Sequence, residues 1–169
     1  MADVMAMTPY STEHFCSDDS LRLMYDTVAE VFGMMLGHET AVVPEQADAT
    51  SEWRTAIVGF SGALRGSCEV RMNSMAARVV TSAMLGAPLV DAEDPSIGDA
   101  VGEICNMIAG GWKNRIPSLA SACSLSPPTI ISGTNYVVKL GTPSIKFVRT
   151  YLFGEQTMKI TMQCEELRG

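Results

Sequence analysis

DAVGEICNMIAGGWKNRI, residues 99–116, carries two messages on one helical period. Val101, Ile104, Cys105, Ile108 and Trp112 gather on one side, whereas Asp99, Glu103, Asn106 and Gly110 share a sector about 60° wide on the other. The spacing predicts a helix from about Ser96 to Asn114, with Pro117 beyond its end. Glu103 and Asn106 are three residues apart and so point the same way. Gly110 adds no side chain that would obstruct approach to them, and Met107 borders the stripe. Such residues also coat the wet side of an ordinary amphipathic helix. Against that reading stand Gly102, Asn106, Gly110 and Gly111, poor helix formers that each cost up to about 1 kcal/mol relative to alanine.

A second copy lies upstream. Residues 26–37, DTVAEVFGMMLG, align with 99–110, DAVGEICNMIAG, and Asp26/Asp99, Val28/Val101, Glu30/Glu103, Met34/Met107 and Gly37/Gly110 coincide. Five matches in twelve, polar positions among them, point to two helices in equivalent places on one sheet. The copies differ at Gly33, which stands where the later copy has Asn106.

Working outward, Leu21, Met24, Tyr25, Val28, Val31, Phe32 and Met35 recur at helical spacing from Asp18 up to Gly37, with Ser17 or Asp18 as cap. A shorter helix begins at Ser74 and stops at Gly86. Segments 40–47, 52–61 and 64–72 read as strands, as do 129–132, 135–140, 144–153 and 157–164; 118–128 reads as a loop. Residues 1–17 form a lead-in without period, and 18–169 a single domain. Helix, strands, helices, strands is the order of an α+β fold without regular βαβ alternation. The expected architecture is an antiparallel or mixed sheet of about six strands, two long helices related by pseudo-symmetry on one face, and a shorter helix.

Bulk composition excludes several function classes. A net charge of −7, with 12 basic residues scattered along the chain, opposes nucleic-acid binding. Five cysteines with no C-x-x-C pair, and only two histidines, argue for reduced thiols in the cytoplasm and against a metal site. The N-terminus lacks a signal-peptide pattern and no stretch is apolar enough to insert in a membrane. Cys16 and Arg22 have the C-x5-R spacing of thiol phosphatases, but two aspartates occupy the intervening loop. His14 and His38 have no partner at metal or triad spacing.

The helix at 99–116, with its Asp, Glu, Asn and Gly, resembles the active-site helix of the CheC/CheX/FliY chemotaxis phosphatases. The strand and helix GSCEVRMNSMAARVVTSAMLG is similar to that family's, and Pro127 and Pro128 stand where it has a proline. The likeness extends over about residues 18–165. It implies a CheC-like fold and hydrolysis of the aspartyl phosphate on a CheY-like receiver domain, with Glu103 and Asn106 as working residues. Asp99, Met107 and Gly110 would then contact the partner, and the Mg²⁺ needed would come from the receiver. Gly33 marks the first copy as silent, which is the CheX pattern, and CheX-like proteins are homodimers. The other reading of the same stripe is a non-catalytic module that binds a phosphorylated receiver or serves a flagellar switch.

Overall fold

The computed structural model describes residues 15, 17–46, 52–141 and 145–165. In chain order the elements are α1 (Asp18–Leu36), β1 (Thr40–Val43), β2 (Trp53–Gly62), β3 (Gly66–Asn73), α2 (Ser74–Leu85), α3 (Ser96–Asn114), α4 (Pro117–Ala120), β4 (Cys123–Leu125), β5 (Thr129–Gly133), β6 (Ile145–Phe153) and β7 (Gln156–Cys164). The seven strands form one sheet in the order β1-β6-β7-β3-β2-β4, and β5 also pairs with β2. Every pairing is antiparallel.

Local chemistry sets the helix ends. Ser17 Oγ accepts the Ser20 N–H at 3.2 Å and Asn73 Oδ1 accepts the Ala76 N–H at 2.8 Å, so α1 and α2 start on side-chain caps. Both stop on a left-handed glycine, Gly37 and Gly86. At α3 the N-cap residue, Pro95, makes no side-chain cap, but Asp94 just before it accepts the Ser96 N–H on Oδ1 at 2.9 Å.

The long helices cover one face of the sheet. Ala56 and Val58 of β2, Cys68, Val70 and Met72 of β3, and Ile160 and Met162 of β7 alternate inward and are buried. Trp112 of α3 packs edge-on to Phe15 at 5.8 Å and against Phe60 at 5.7 Å, and Phe32 of α1 meets Phe153 at 4.9 Å. Most of the expected lead-in lies outside the described residues, but Phe15 belongs to the core. Cys105 of α3 donates its thiol to the carbonyls of Cys68 and Ala56, at 3.4 and 3.5 Å, which pins the helix to the middle of the sheet. The Cys105 thiol beside it, and burial, push the Cys68 thiol well above its usual range. The four described cysteines are all buried.

Helices α1 and α3 cross closely at Gly111. A side-chain carbon there would lie 2.8 Å from Thr27 Cγ2, so glycine is what permits the contact. Arg115 ties the pair together: it donates to Thr27 Oγ1 at 3.0 Å and to the Gly111 carbonyl at 3.3 Å, and it forms an ion pair with Glu30.

The three helix expectations hold to within a residue, and the differences fall among the strands. Segment 135–140 is not a strand. Asn135 has a φ of 54° and Gly141 a φ of 59°, which turn the chain out of the sheet and leave it as a strap across the face away from the helices. The strap is tied down by Tyr136 Oη to Thr55 Oγ1 at 2.6 Å and by Gln163 Nε2 donating to the Leu140 carbonyl at 3.2 Å. The expected loop at 118–128 takes in the three-residue strand β4 and all but the first residue of the one-turn helix α4. Strand β1 ends at Val43, before Pro44. His14 and Cys16 lie outside the described residues, and His38 sits 6.4 Å from the Phe153 ring.

Candidate functional site

Helix α3 presents the polar stripe on the side turned from the sheet. Asp99 and Glu103 are exposed, and Asn106, Met107 and Gly110 are half-buried. Neither Glu103 nor Asn106 is engaged by a hydrogen bond or ion pair among the described residues. The opposite face of the same helix is fully buried through Val101, Ile104, Cys105, Ile108 and Trp112, so its rotation is fixed. A carboxylate that only accepts and a carboxamide that both accepts and donates therefore stand side by side on a rigid support.

The segment carrying Pro127 and Pro128 runs beside this stripe. Strands β4 and β5 follow one another along the edge of β2, interrupted at Ser126-Pro127-Pro128. Ser126 repairs the interruption: its N–H donates to the Gly59 carbonyl at 2.9 Å, and its Oγ accepts the Gly59 N–H at 2.8 Å. The prolines add no donors to this sheet edge. Their segment closes on α3, where a side-chain carbon at Gly102 would lie 3.0 Å from Ile130 Cδ1 and 3.2 Å from Pro128 Cγ. At Gly110 the corresponding neighbour is Leu125 Cδ1, at 3.6 Å. Leu125, Pro128 and Ile130 thus form an apolar rim along one flank of the Glu103/Asn106 stripe. A helix surface with such a rim suits entry into a partner's cleft better than enclosure of a small substrate.

The first copy of the motif is arranged differently. Gly33 is exposed, and a side-chain carbon there would meet nothing within 4 Å. Glu30, the counterpart of Glu103, is held by Arg115 from the end of α3. Arg115 carried no motif in the sequence and Glu30 lies 85 residues from it, so spacing offered no signal of the pair. Among the described residues no group of three or more His, Cys, Asp or Glu converges as a metal site requires. No described helix is long and apolar enough to cross a membrane.

The model of the family "Chemotaxis phosphatase CheX" matches residues 54–148, a span that contains all of α3 and its rim. The CheY-P phosphatase CheX of Thermotoga maritima is 31% identical over 83 residues, which cover 49% of this chain and 54% of that protein. The chain thus spans about half the length of the curated relative it matches. Chemotaxis protein CheX from Desulfovibrio desulfuricans superposes with a TM-score of 0.72 at 21% identity, over 87% of this chain and 99% of its own. A chain of the CheX–CheY–BeF3–Mg²⁺ complex from Borrelia burgdorferi gives 0.68 at 20% identity, over 89% and 100%. These two likenesses establish the shared fold. With the family model covering more than half of the sequence, the chain belongs to the CheX family of chemotaxis phosphatases.

Proposed function

We propose that this protein dephosphorylates the aspartyl phosphate of a CheY-like receiver domain, with Asn106 orienting the attacking water and Glu103 anchoring the receiver's active-site lysine. One observation carries the reading: a free carboxylate and a free carboxamide stand three residues apart on a helix immobilised from behind. The name of the Thermotoga relative and the CheY-bound Borrelia structure support it.

The chemistry asks little of the phosphatase. Water adds to phosphorus as the bond to the aspartyl oxygen breaks, releasing inorganic phosphate and a free carboxylate on the receiver. Mg²⁺ held by the receiver neutralises charge on the phosphoryl oxygens. What remains is to aim the water, and an amide does this with its C=O accepting a water hydrogen while its NH₂ donates, without adding a charge that repels phosphate. Glu103 alone would repel the phosphoryl group, but pairing with a lysine of the receiver turns it into an anchor that sets the depth of Asn106. Met107, Gly110 and the Leu125–Ile130 rim would line the contact. Asp99 is exposed in the first turn of α3, where the helix dipole favours an acid, and it is an outer contact at most.

The direct test is the lifetime of phosphate on a purified receiver, with and without this protein. A shortened lifetime is expected; an unchanged one with binding retained would leave the non-catalytic module as the reading. Glu103→Gln keeps the shape and loses the charge, so we expect receiver affinity to fall roughly tenfold, as when a charge-assisted hydrogen bond is lost. The maximal rate should change less, and titration of the catalytic protein against a fixed phospho-receiver separates the two effects. A receiver substrate would place the protein in the cytoplasm. We also propose the family's homodimer, and sedimentation that finds only monomer at high concentration would refute it.

A further inference from the structure

We infer that the sheet face turned away from the helices carries a binding site for a small organic or inorganic oxyanion, a carboxylate or a phosphoryl group, organised around Arg71. Arg71 lies on β3, the central strand, and alternates away from the core residues Val70 and Met72. Its guanidinium carbon lies 4.6 Å from the Trp53 ring centroid and 5.1 Å from that of Tyr136. The strap carrying Tyr136 is fastened by the 2.6 Å hydrogen bond to Thr55, so the arginine lies over two aromatic rings, one of them held in place. With Nε buried, the terminal N–H groups of the guanidinium are the ones an anion in the adjoining cavity could meet. Arg71 Nε is buried and has no acceptor among the described residues.

Other charges around Arg71 have the same sense. Lys159 stands directly opposite Arg71 in the β3–β7 register, a like-charge pair that is unfavourable unless an anion lies close by. Glu45 supplies one, as the ion-pair partner of Lys159. Lys146, exposed on β6, makes no hydrogen bond or ion pair among the described residues, although its charge acts on Glu45 and Glu69. All three cations line a cavity of about 300 Å³ between the strap and the sheet, in a protein whose net charge is −7. Glu69 also lines the cavity; burial pushes its carboxyl above the ordinary range, against the pull of Arg71, Lys146 and Lys159. Glu45 lines the cavity as well, so three cations and two carboxylates face it, and Glu45 is already engaged by Lys159. The volume suits a small molecule, and the site lies across the sheet from α3, independent of the proposed phosphatase stripe.

The test titrates the whole protein separately with succinate and with inorganic phosphate at constant ionic strength. The readouts are the Arg71 Nε–H resonance and calorimetric affinity. Saturable shifts of that resonance are expected, and whichever anion saturates identifies the source. Lys146→Ala, on an exposed residue, should weaken binding roughly fivefold, and Glu69→Gln should tighten it by a similar factor. Linear shifts with both anions, or affinities indifferent to both substitutions, would overturn the site. So would a shift of the Arg71 resonance that grows with protein concentration alone, because a second copy would then be covering the face.

Discussion

Asn106→Ala is expected to leave receiver binding intact and to remove about 10²-fold of the accelerated phosphate loss, the size seen when one positioned polar group is deleted from an active site. The substitution is clean because Asn106 makes no hydrogen bond to the rest of the described protein and is only half-buried. Alanine is also the better helix former, so stability should hold or rise by about 0.5 kcal/mol. A lost rate cannot then be blamed on a lost fold. Asn106→Asp sharpens the result: its shape is the same, but it faces phosphate with a charge and has no NH₂ to donate, so it should be impaired at least as badly. Single-turnover decay of phosphorylated receiver, with the phosphatase in excess, reads the step directly. Full activity in the alanine variant would remove the carboxamide from the mechanism and leave α3 a docking surface.

Much of this was legible because helices write their surroundings into a short period. The ends of α1 and α2 follow from Ser17, Asn73, Gly37 and Gly86, all local signals. The stripe of Asp99, Glu103, Asn106 and Gly110 is likewise a property of a few adjacent turns. The repeat between 26–37 and 99–110 correctly anticipated two long helices on the same face of one sheet. What could not be read depends on contacts between distant segments. Tyr136, Val138 and Leu140 alternate like a strand, yet the backbone at Asn135 and Gly141 takes the segment out of the sheet. Strand β4 is three residues ending against Ser-Pro-Pro, too short for any period, and exists because β2 offers an edge.

The glycines of α3 show the same boundary from the other side. As sequence they argued for something beyond solvation at the stripe, and two of them have a packing cause instead. Gly102 admits Pro128 and Ile130, and Gly111 admits Thr27. Asn106 and Gly110 are the two of the four poor helix formers left without a packing cause, since a carbon on Gly110 would make only an ordinary 3.6 Å contact with Leu125, and of the two only Asn106 has a side chain. That narrows the functional argument to one side chain and strengthens it there. Arg115 works similarly for the first copy: by engaging Glu30 it removes the carboxylate that a second working helix would need.

Gly66→Ala is expected to cost about 3 kcal/mol or more, the upper range for forcing atoms into a packed interior. A side-chain carbon on Gly66 would lie 2.1 Å from the Gln163 carbonyl oxygen and 2.9 Å from Cys164 Cα, backbone atoms that cannot swing aside. Gly66 pairs with Phe60 on one side and Cys164 on the other, so relief requires the terminal rungs of one of the two ladders flanking β3 to part. For a chain of this length the midpoint of thermal unfolding should drop by roughly 6–12 °C. Gly33→Ala is the matched control, because nothing lies within 4 Å of its new carbon. In a helix interior that exchange should stabilise by about 0.5–1 kcal/mol. Urea unfolding of both variants decides the matter, since opposite signs from the same chemical change can come only from their surroundings. A Gly66→Ala protein as stable as the parent would mean that β3 and β7 do not pair in this register. It would also unsettle the footing of α3, because Cys68, the residue whose carbonyl Cys105 grips, is two positions along the same strand.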